Sequence, residues 1–233
     1  MVKAELIKRS PLRILDKSTH GGLKVGELGI IASARGAGKT ACLVHIATDQ
    51  LFQGRRVIHL SFSQKTDHII RWYDAIFSEI ATVRDLSSAV EIHDDLVKHR
   101  VIMRFNQATT NAGTICRSIG SLVADANFSA EVIVIDGYVF NSGTPAFVAE
   151  LKQYAKEHKL TLWFTADIDE TVPGNPRVPP QLSAYLELVD ILITLTNQKD
   201  YLCLTLIKDQ QRFLEADLNL RLDPKTMLIN DER

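Results

Sequence analysis

Cysteine is scarce in this sequence: Cys42, Cys116 and Cys203 are the three in 233 residues, and they lie far apart. Such spacing excludes a disulfide frame and a zinc site, and it fits buried thiols in a reducing compartment. A cytoplasmic protein is therefore expected. Long hydrophobic runs are missing too. The longest apolar stretches, such as Val132 to Ile135 and Ile191 to Leu195, fall far short of the roughly 20 residues that cross a bilayer as a helix. The first ten residues carry charges with no apolar segment behind them, so no secretory leader is expected. Nor is there an excess of either charge. The 27 Lys and Arg stand against 28 Asp and Glu, a net charge of −1. That balance excludes the chain-wide basic field that drives non-specific nucleic-acid binding and leaves only a local basic patch. No repeat, low-complexity tract or Pro/Gly/Ser-rich linker divides the chain. One domain over residues 1–233 is expected, with a core over about 10–217 and short terminal extensions.

What is present is a series of short apolar runs alternating with longer amphipathic ones, the pattern of a parallel sheet covered by helices. The expected strands are Leu28–Ala32, Val57–Phe62, Val101–Phe105, Glu131–Asp136, Leu160–Thr165 and Ile191–Thr196. Helical patterns fill residues 39–53, 66–98 with a break near Asp85, 111–126 and 145–158. Gly174 to Pro180 is broken by glycine and proline and reads as a loop after a strand. Past residue 188, Tyr201 to Ile207 and Arg212 to Asp217 alternate like antiparallel strands joined by a polar turn at Lys208 to Gln211. The expected fold class is thus α/β, a mostly parallel twisted sheet flanked by helices and ending in an antiparallel hairpin.

The most informative segment runs from Leu28 through Ser33, Ala34, Arg35, Gly36, Ala37 and Gly38 to Lys39 and Thr40. An apolar strand enters a glycine-containing loop, and Gly38-Lys39-Thr40 opens a helix. Glycine lets the backbone wrap closely around a phosphate, so that successive N–H groups form an anion nest. The helix start adds free donors and partial positive charge. In such a phosphate loop Lys39 reaches the β- and γ-phosphates, and the Thr40 hydroxyl ligates Mg²⁺. Ser33 stands where this motif has glycine, and its small side chain fits most turn conformations. A chance Gly-Lys-Thr at a helix start is the plain alternative, and the strand before it weighs against that. A second element agrees. Glu131 to Asp136 is an apolar strand ending in a carboxylate, the pattern of a Walker B segment. An acid at the carboxyl end of a neighbouring parallel strand faces the same crevice, where Asp136 can bind Mg²⁺ through water.

The segment His20-Gly21-Gly22-Leu23-Lys24-Val25-Gly26-Glu27 and the strand and loop after it resemble RecA-like P-loop ATPases of the KaiC, RadA and DnaB type. In those proteins a Gly-Gly-Leu turn leads into the strand before the phosphate loop. The likeness continues in Gly54 to Phe62 and in Val189 to Leu195 with its following hairpin, and it spans roughly residues 10–215. The resemblance implies ATP and Mg²⁺ as cofactors. It also implies a homo-oligomer, commonly a ring, or another protein partner. The nucleotide site it implies is Ser33 to Thr40 with Asp136 and Lys208, the metal being held by Thr40 and Asp136.

Three departures bear on catalysis. Relatives end the second strand with a carboxylate that polarises the attacking water, whereas Ser63 and Gln64 stand here. Neither is a general base near neutral pH, although Gln64 can orient a water. Loss of general-base help costs on the order of 10² to 10⁴ in rate. Relatives carry a polar sensor after the next strand, where this chain has Ala166 and Asp167. Asp167 is either a repulsive neighbour of the γ-phosphate or a replacement base. Relatives also place Lys-x-Arg on the late hairpin, reaching the neighbouring subunit's phosphate. Lys208 matches the lysine, and the nearest arginine is Arg212. An arginine finger is worth about 10³ to 10⁵ in related phosphoryl transfer.

The loops that grip DNA in such motors are not basic here. Gly137 to Thr144 has no Lys or Arg, and Asp167 to Pro180 has Arg177 against Asp167, Asp169 and Glu170, the wrong sign for phosphate. Tyr138 and Phe140 suit base stacking or, more ordinarily, crevice lining. His45 is expected to be packed, since no second ligand sits at metal spacing. Trp72, Tyr73, Ile76, Phe77 and Ile80 form the buried stripe of a helix by default. The reading that follows is a nucleotide-binding regulatory or scaffold module with weak or absent hydrolysis. The alternative is an active Mg²⁺-dependent ATPase motor of the helicase or recombinase type acting on DNA.

Overall fold

The six apolar runs become six parallel strands. The computed structural model describes residues 2–169 and 178–231, Val2 by its backbone alone. In it β1 (Leu28–Ser33), β2 (Val57–Ser61), β3 (Arg100–Arg104), β4 (Val132–Asp136), β5 (Thr161–Asp167) and β6 (Ile191–Gln198) pair in parallel. They continue into the antiparallel strands β7 (Tyr201–Asp209), β8 (Arg212–Leu222) and β9 (Ile229–Asp231). The order across the sheet is β3-β2-β4-β5-β1-β6-β7-β8-β9. Every residue of β1 is buried, because the strand is flanked by β5 and β6 and covered on both faces.

Helices form the two covering layers. On one face α3 (Lys39–Phe52), α4 (Thr66–Val83) and α5 (Ala89–Lys98) pack with Ile31, Val57, Val132 and the inward residues of β6 to β8. On the other, α6 (Ala112–Ala126) and α7 (Pro145–Glu157) cover Ile30, Ile58, Ile133 and Phe164. Local chemistry sets their starts. The Asn111 side chain accepts from Thr114 N–H at the head of α6, and Thr144 accepts from Phe147 N–H at the head of α7, where Pro145 supplies a pre-set φ. The break expected near Asp85 falls there, with Asp85 at φ +49° between α4 and α5.

Two features go beyond the sequence reading. The late hairpin is a three-stranded meander: Leu218, Leu220 and Leu222 continue the buried alternation past Asp217, and Ile229 adds the next strand. The chain start is also structured. Helices α1 (Val2–Lys8) and α2 (Leu12–Ser18) bury Leu6, Leu12 and Leu15 against the α3 side. The stretch Gly174 to Arg177 of the expected loop lies outside the described residues. Among the described residues no helix is long and apolar enough to cross a membrane, and no three His, Cys, Asp or Glu cluster at metal distance. All three cysteines are free thiols, and burial pushes that of Cys42 up to about 12.

His45 and His59 are both buried and neutral. His45 Nδ1 accepts from the Ile229 N–H at 2.9 Å, tying β9 to α3, and His59 Nδ1 lies 3.2 Å from the Tyr73 hydroxyl. Burial holds His45 down at about 4 and His59 at about 3. In the unfolded chain both take up protons near pH 6.5, so the unfolded state binds more protons below that pH. Stability is therefore fully present above about pH 6.5 and falls as the pH drops towards 4, by up to about 1.4 kcal/mol per pH unit for each histidine. Urea unfolding between pH 7.5 and 5 is expected to show this slope, and His45→Asn, which keeps an acceptor for Ile229, is expected to reduce it by one proton.

Candidate functional site

The loop between β1 and α3 has the backbone of an anion nest. Gly36 and Gly38 adopt φ of +81° and +85°, a region that L side chains rarely enter. A Cβ on Gly38 would also stand 2.6 Å from Leu222 Cδ2, so the end of β8 closes the loop from one side. Gly38 caps α3 with no side-chain hydrogen bond, in contrast to α6 and α7. The amides of the first turn of α3 are thus left without a side-chain acceptor from the cap, the arrangement that receives an anion. Ser33 causes no strain. It is the last residue of β1, in parallel register with Asp167, and is not at positive φ. The position needs no glycine because it belongs to the strand rather than the turn.

Lys39 and Thr40 emerge at the head of α3. Lys39 is buried, and its ammonium donates to Ser33 O at 3.0 Å, Ser33 Oγ at 3.2 Å and Ala34 O at 2.8 Å. It also pairs with Asp167 Oδ1 at 2.7 Å. The Thr40 hydroxyl donates to Asp136 Oδ2 at 3.0 Å, linking the loop to the end of β4. The other Asp136 oxygen accepts from Thr165 Oγ1 at 2.7 Å, and Thr165 in turn accepts from Gly137 N–H at 3.1 Å. Burial pushes the Asp136 carboxyl above the ordinary carboxylate value, while the Thr165 and Thr40 hydroxyls and the Lys39 charge pull it back. A hydroxyl and a carboxylate held together are hard oxygen donors, which suit Mg²⁺.

Thr165 was invisible to motif reading. It sits in an apolar strand, two residues before Asp167, and only the pairing of β4 with β5 brings it to Asp136. A β-branched residue with a hydroxyl in such a strand, directly before a sensor position, is the signal that was available. The other candidates divide. Ser63 is exposed and abuts Gly137, where an added Cβ would lie 2.3 Å from its Oγ, so it stands beside the Walker B strand end. Gln64 is half-buried, and its backbone is pinned by Ser61 Oγ, which accepts from Gln64 N–H at 2.9 Å and donates to Gln64 O at 3.1 Å. Arg35 and Gly36 are exposed at the loop apex.

Lys208 lies elsewhere. It pairs with Leu192 near the start of β6, whereas the phosphate loop leaves the far end of the adjacent β1. Its ammonium is buried and donates to Val189 O and Gln210 O, and desolvation lowers its pKa. The structure does not bring it to Lys39 or Asp136. The antiparallel return of β7 carries it to the opposite edge of the sheet, where it ties down the base of the meander.

The loop after β4 is pinned rather than free. Tyr138 and Phe140 are buried in a cluster with Phe62, Phe147, Phe164 and Tyr185. Gln107 clamps Val139 by accepting from its N–H at 2.8 Å and donating to its carbonyl at 3.0 Å. Of the second expected loop, Glu170 and Arg177 lie outside the described residues.

Thr165→Val is expected to leave one buried Asp136 oxygen without a donor and to destabilise the protein by about 1 to 3 kcal/mol. Urea unfolding measures this, and Thr165→Ser is expected to restore most of the loss.

No family model matches the chain. It is similar to a DnaB-like replicative helicase of Enterobacteria phage T4, 25% identical over 182 residues. That match takes in 67% of this chain but spans only 38% of the length of the helicase. In structure the chain is similar to the solved ATPase domain of another DnaB-like helicase, with a TM-score of 0.71, 15% identity and coverage of 96% of this chain and 90% of that one. The parallel sheet with its antiparallel extension, which follows that ATPase domain over nearly all its length, and the likeness to the phage helicase place the chain in the RecA-like P-loop ATPase superfamily as a nucleotide-binding module.

Proposed function

We propose that the chain binds a nucleoside triphosphate, ATP by likeness to its relatives, together with Mg²⁺, and hydrolyses it slowly or not at all. It then acts as a nucleotide-controlled regulatory or scaffold module, alone or in a homo-oligomer. The loop Ser33 to Gly38 and the first turn of α3 hold the phosphates, with Lys39 supplying the charge. Thr40 and Asp136 hold the metal, which when bound neutralises phosphate charge and polarises the phosphoryl group. The observation that carries the reading is the commitment of both carboxylates near the loop. Asp136 receives two threonine hydroxyls and Asp167 pairs with Lys39, while Ser63 stands at the end of β2 where relatives have an acid. Nothing that titrates near neutral pH is left at that position to take a proton from water.

The buried Lys208 agrees with this reading, since its amino group is used within its own chain and does not extend towards a neighbour's phosphate. The likeness to a helicase favours the second reading, a motor driven by ATP on DNA. That reading predicts salt-sensitive DNA binding and hydrolysis stimulated by DNA, while the pinned loop Gly137 to Thr144 offers no cation for it.

Calorimetry with ATP, with and without Mg²⁺, combined with a phosphate-release assay on the same sample, separates the readings. Mg²⁺-dependent binding, lost in Lys39→Ala, with turnover near background is expected. Fast turnover by the isolated chain, abolished in Lys39→Ala, would overturn the proposal. Ser63→Glu is expected to raise phosphate release at least about tenfold, since a positioned base is worth about 10² to 10⁴.

A further inference from the structure

The departures of this chain from the phosphate-loop pattern meet at a single atom. Ser33 and Asp167 are cross-strand partners at the ends of β1 and β5, and both contact Lys39 Nζ, at 3.2 Å through the serine hydroxyl and 2.7 Å through the carboxylate. With Ser33 O and Ala34 O this gives four acceptors around an ammonium that has three protons to donate. The Lys39 side chain is 8% exposed and the Asp167 side chain 58%. The cation is thus drawn down onto its own loop, and the one charged acceptor is the one at the surface. The short backbone link Ile168 N–H to Ser33 O, 3.0 Å, fixes the two strand ends against each other, so the carboxylate is held over the lysine and does not merely visit it.

We propose that Asp167, supported by the Ser33 hydroxyl, is an internal anion that occupies Lys39 and that an incoming polyphosphate must displace. This deepens the nucleotide-binding reading and rests on it. An anion reaches the ammonium only by exchanging with Asp167, and the released carboxylate then remains beside the phosphate as a like charge. Both effects lower affinity, and Mg²⁺ relieves the second by neutralising phosphate charge. The module is thereby set to respond at a higher nucleotide concentration than the same loop without the carboxylate, and to take the nucleotide with its metal.

The full chain and Asp167→Asn are compared by calorimetry with ATP, with and without Mg²⁺. The expected result is binding about three- to tenfold tighter in the variant, with the larger gain when Mg²⁺ is omitted. A second measurement needs no nucleotide. Urea unfolding of the parent, Asp167→Asn, Lys39→Met and the double variant forms a cycle, and a non-additive result is expected because the two side chains stabilise each other. Unchanged or weaker ATP binding in Asp167→Asn overturns the proposal, and weaker binding would make Asp167 a contributor to the metal site. An additive cycle overturns it as well, leaving only direct repulsion of phosphate. Absence of ATP binding in both proteins, with a non-additive cycle, overturns the nucleotide-binding reading itself and with it the role assigned to the pair.

Discussion

The parallel ladder joining β4, β5 and β1 is the constraint on which the other features rest. Parallel pairing puts the carboxyl ends of adjacent strands along one edge, so Asp136, Asp167 and Ser33 become neighbours although they are scattered over the chain. The same geometry aims the loop after β1 and the start of α3 at that edge. A parallel sheet has to be covered on both faces, which explains why β1 and β2 read as unbroken apolar strands.

Within that frame the electrostatics are closely balanced. Lys39 is the buried cation of the site and meets a carboxylate from β5, while the β4 carboxylate is held by two hydroxyls. Burial makes each interaction matter more than it would at the surface, because an unpaired group there carries its full desolvation cost. The consequence is a site equipped to hold phosphate and metal but without a free base. It also explains how a chain with near-zero net charge serves a polyanion: the positive potential is local, made by one lysine and the head of a helix.

The supporting parts are mechanical. Leu222, at the far end of β8, fills the space above Gly38 and joins the antiparallel meander to the phosphate loop. The aromatic cluster and the Gln107 clamp fix the loop after β4. Helices α1 and α2 seal the α3 side with leucines. These contacts hold the edge residues in place without entering their chemistry.

Local patterns in the chain carry the strand and helix order, the parallel class, the phosphate loop with Lys39 and Thr40, and the Walker B acid Asp136. Each of these is written in a periodicity or in a short motif. Helices α1 and α2 and the third strand of the meander escaped, since their apolar patterns are short and acquire meaning only against a partner surface. The wiring of the edge residues belongs to the packed fold. The pairing of Ser33 with Asp167, and the bond from Thr165 to Asp136, depend on which strands lie side by side. The displacement of Lys208 to the opposite edge depends on the antiparallel return of β7. Strand adjacency and direction are long-range properties of the sheet, and a periodicity that repeats every two residues does not encode them.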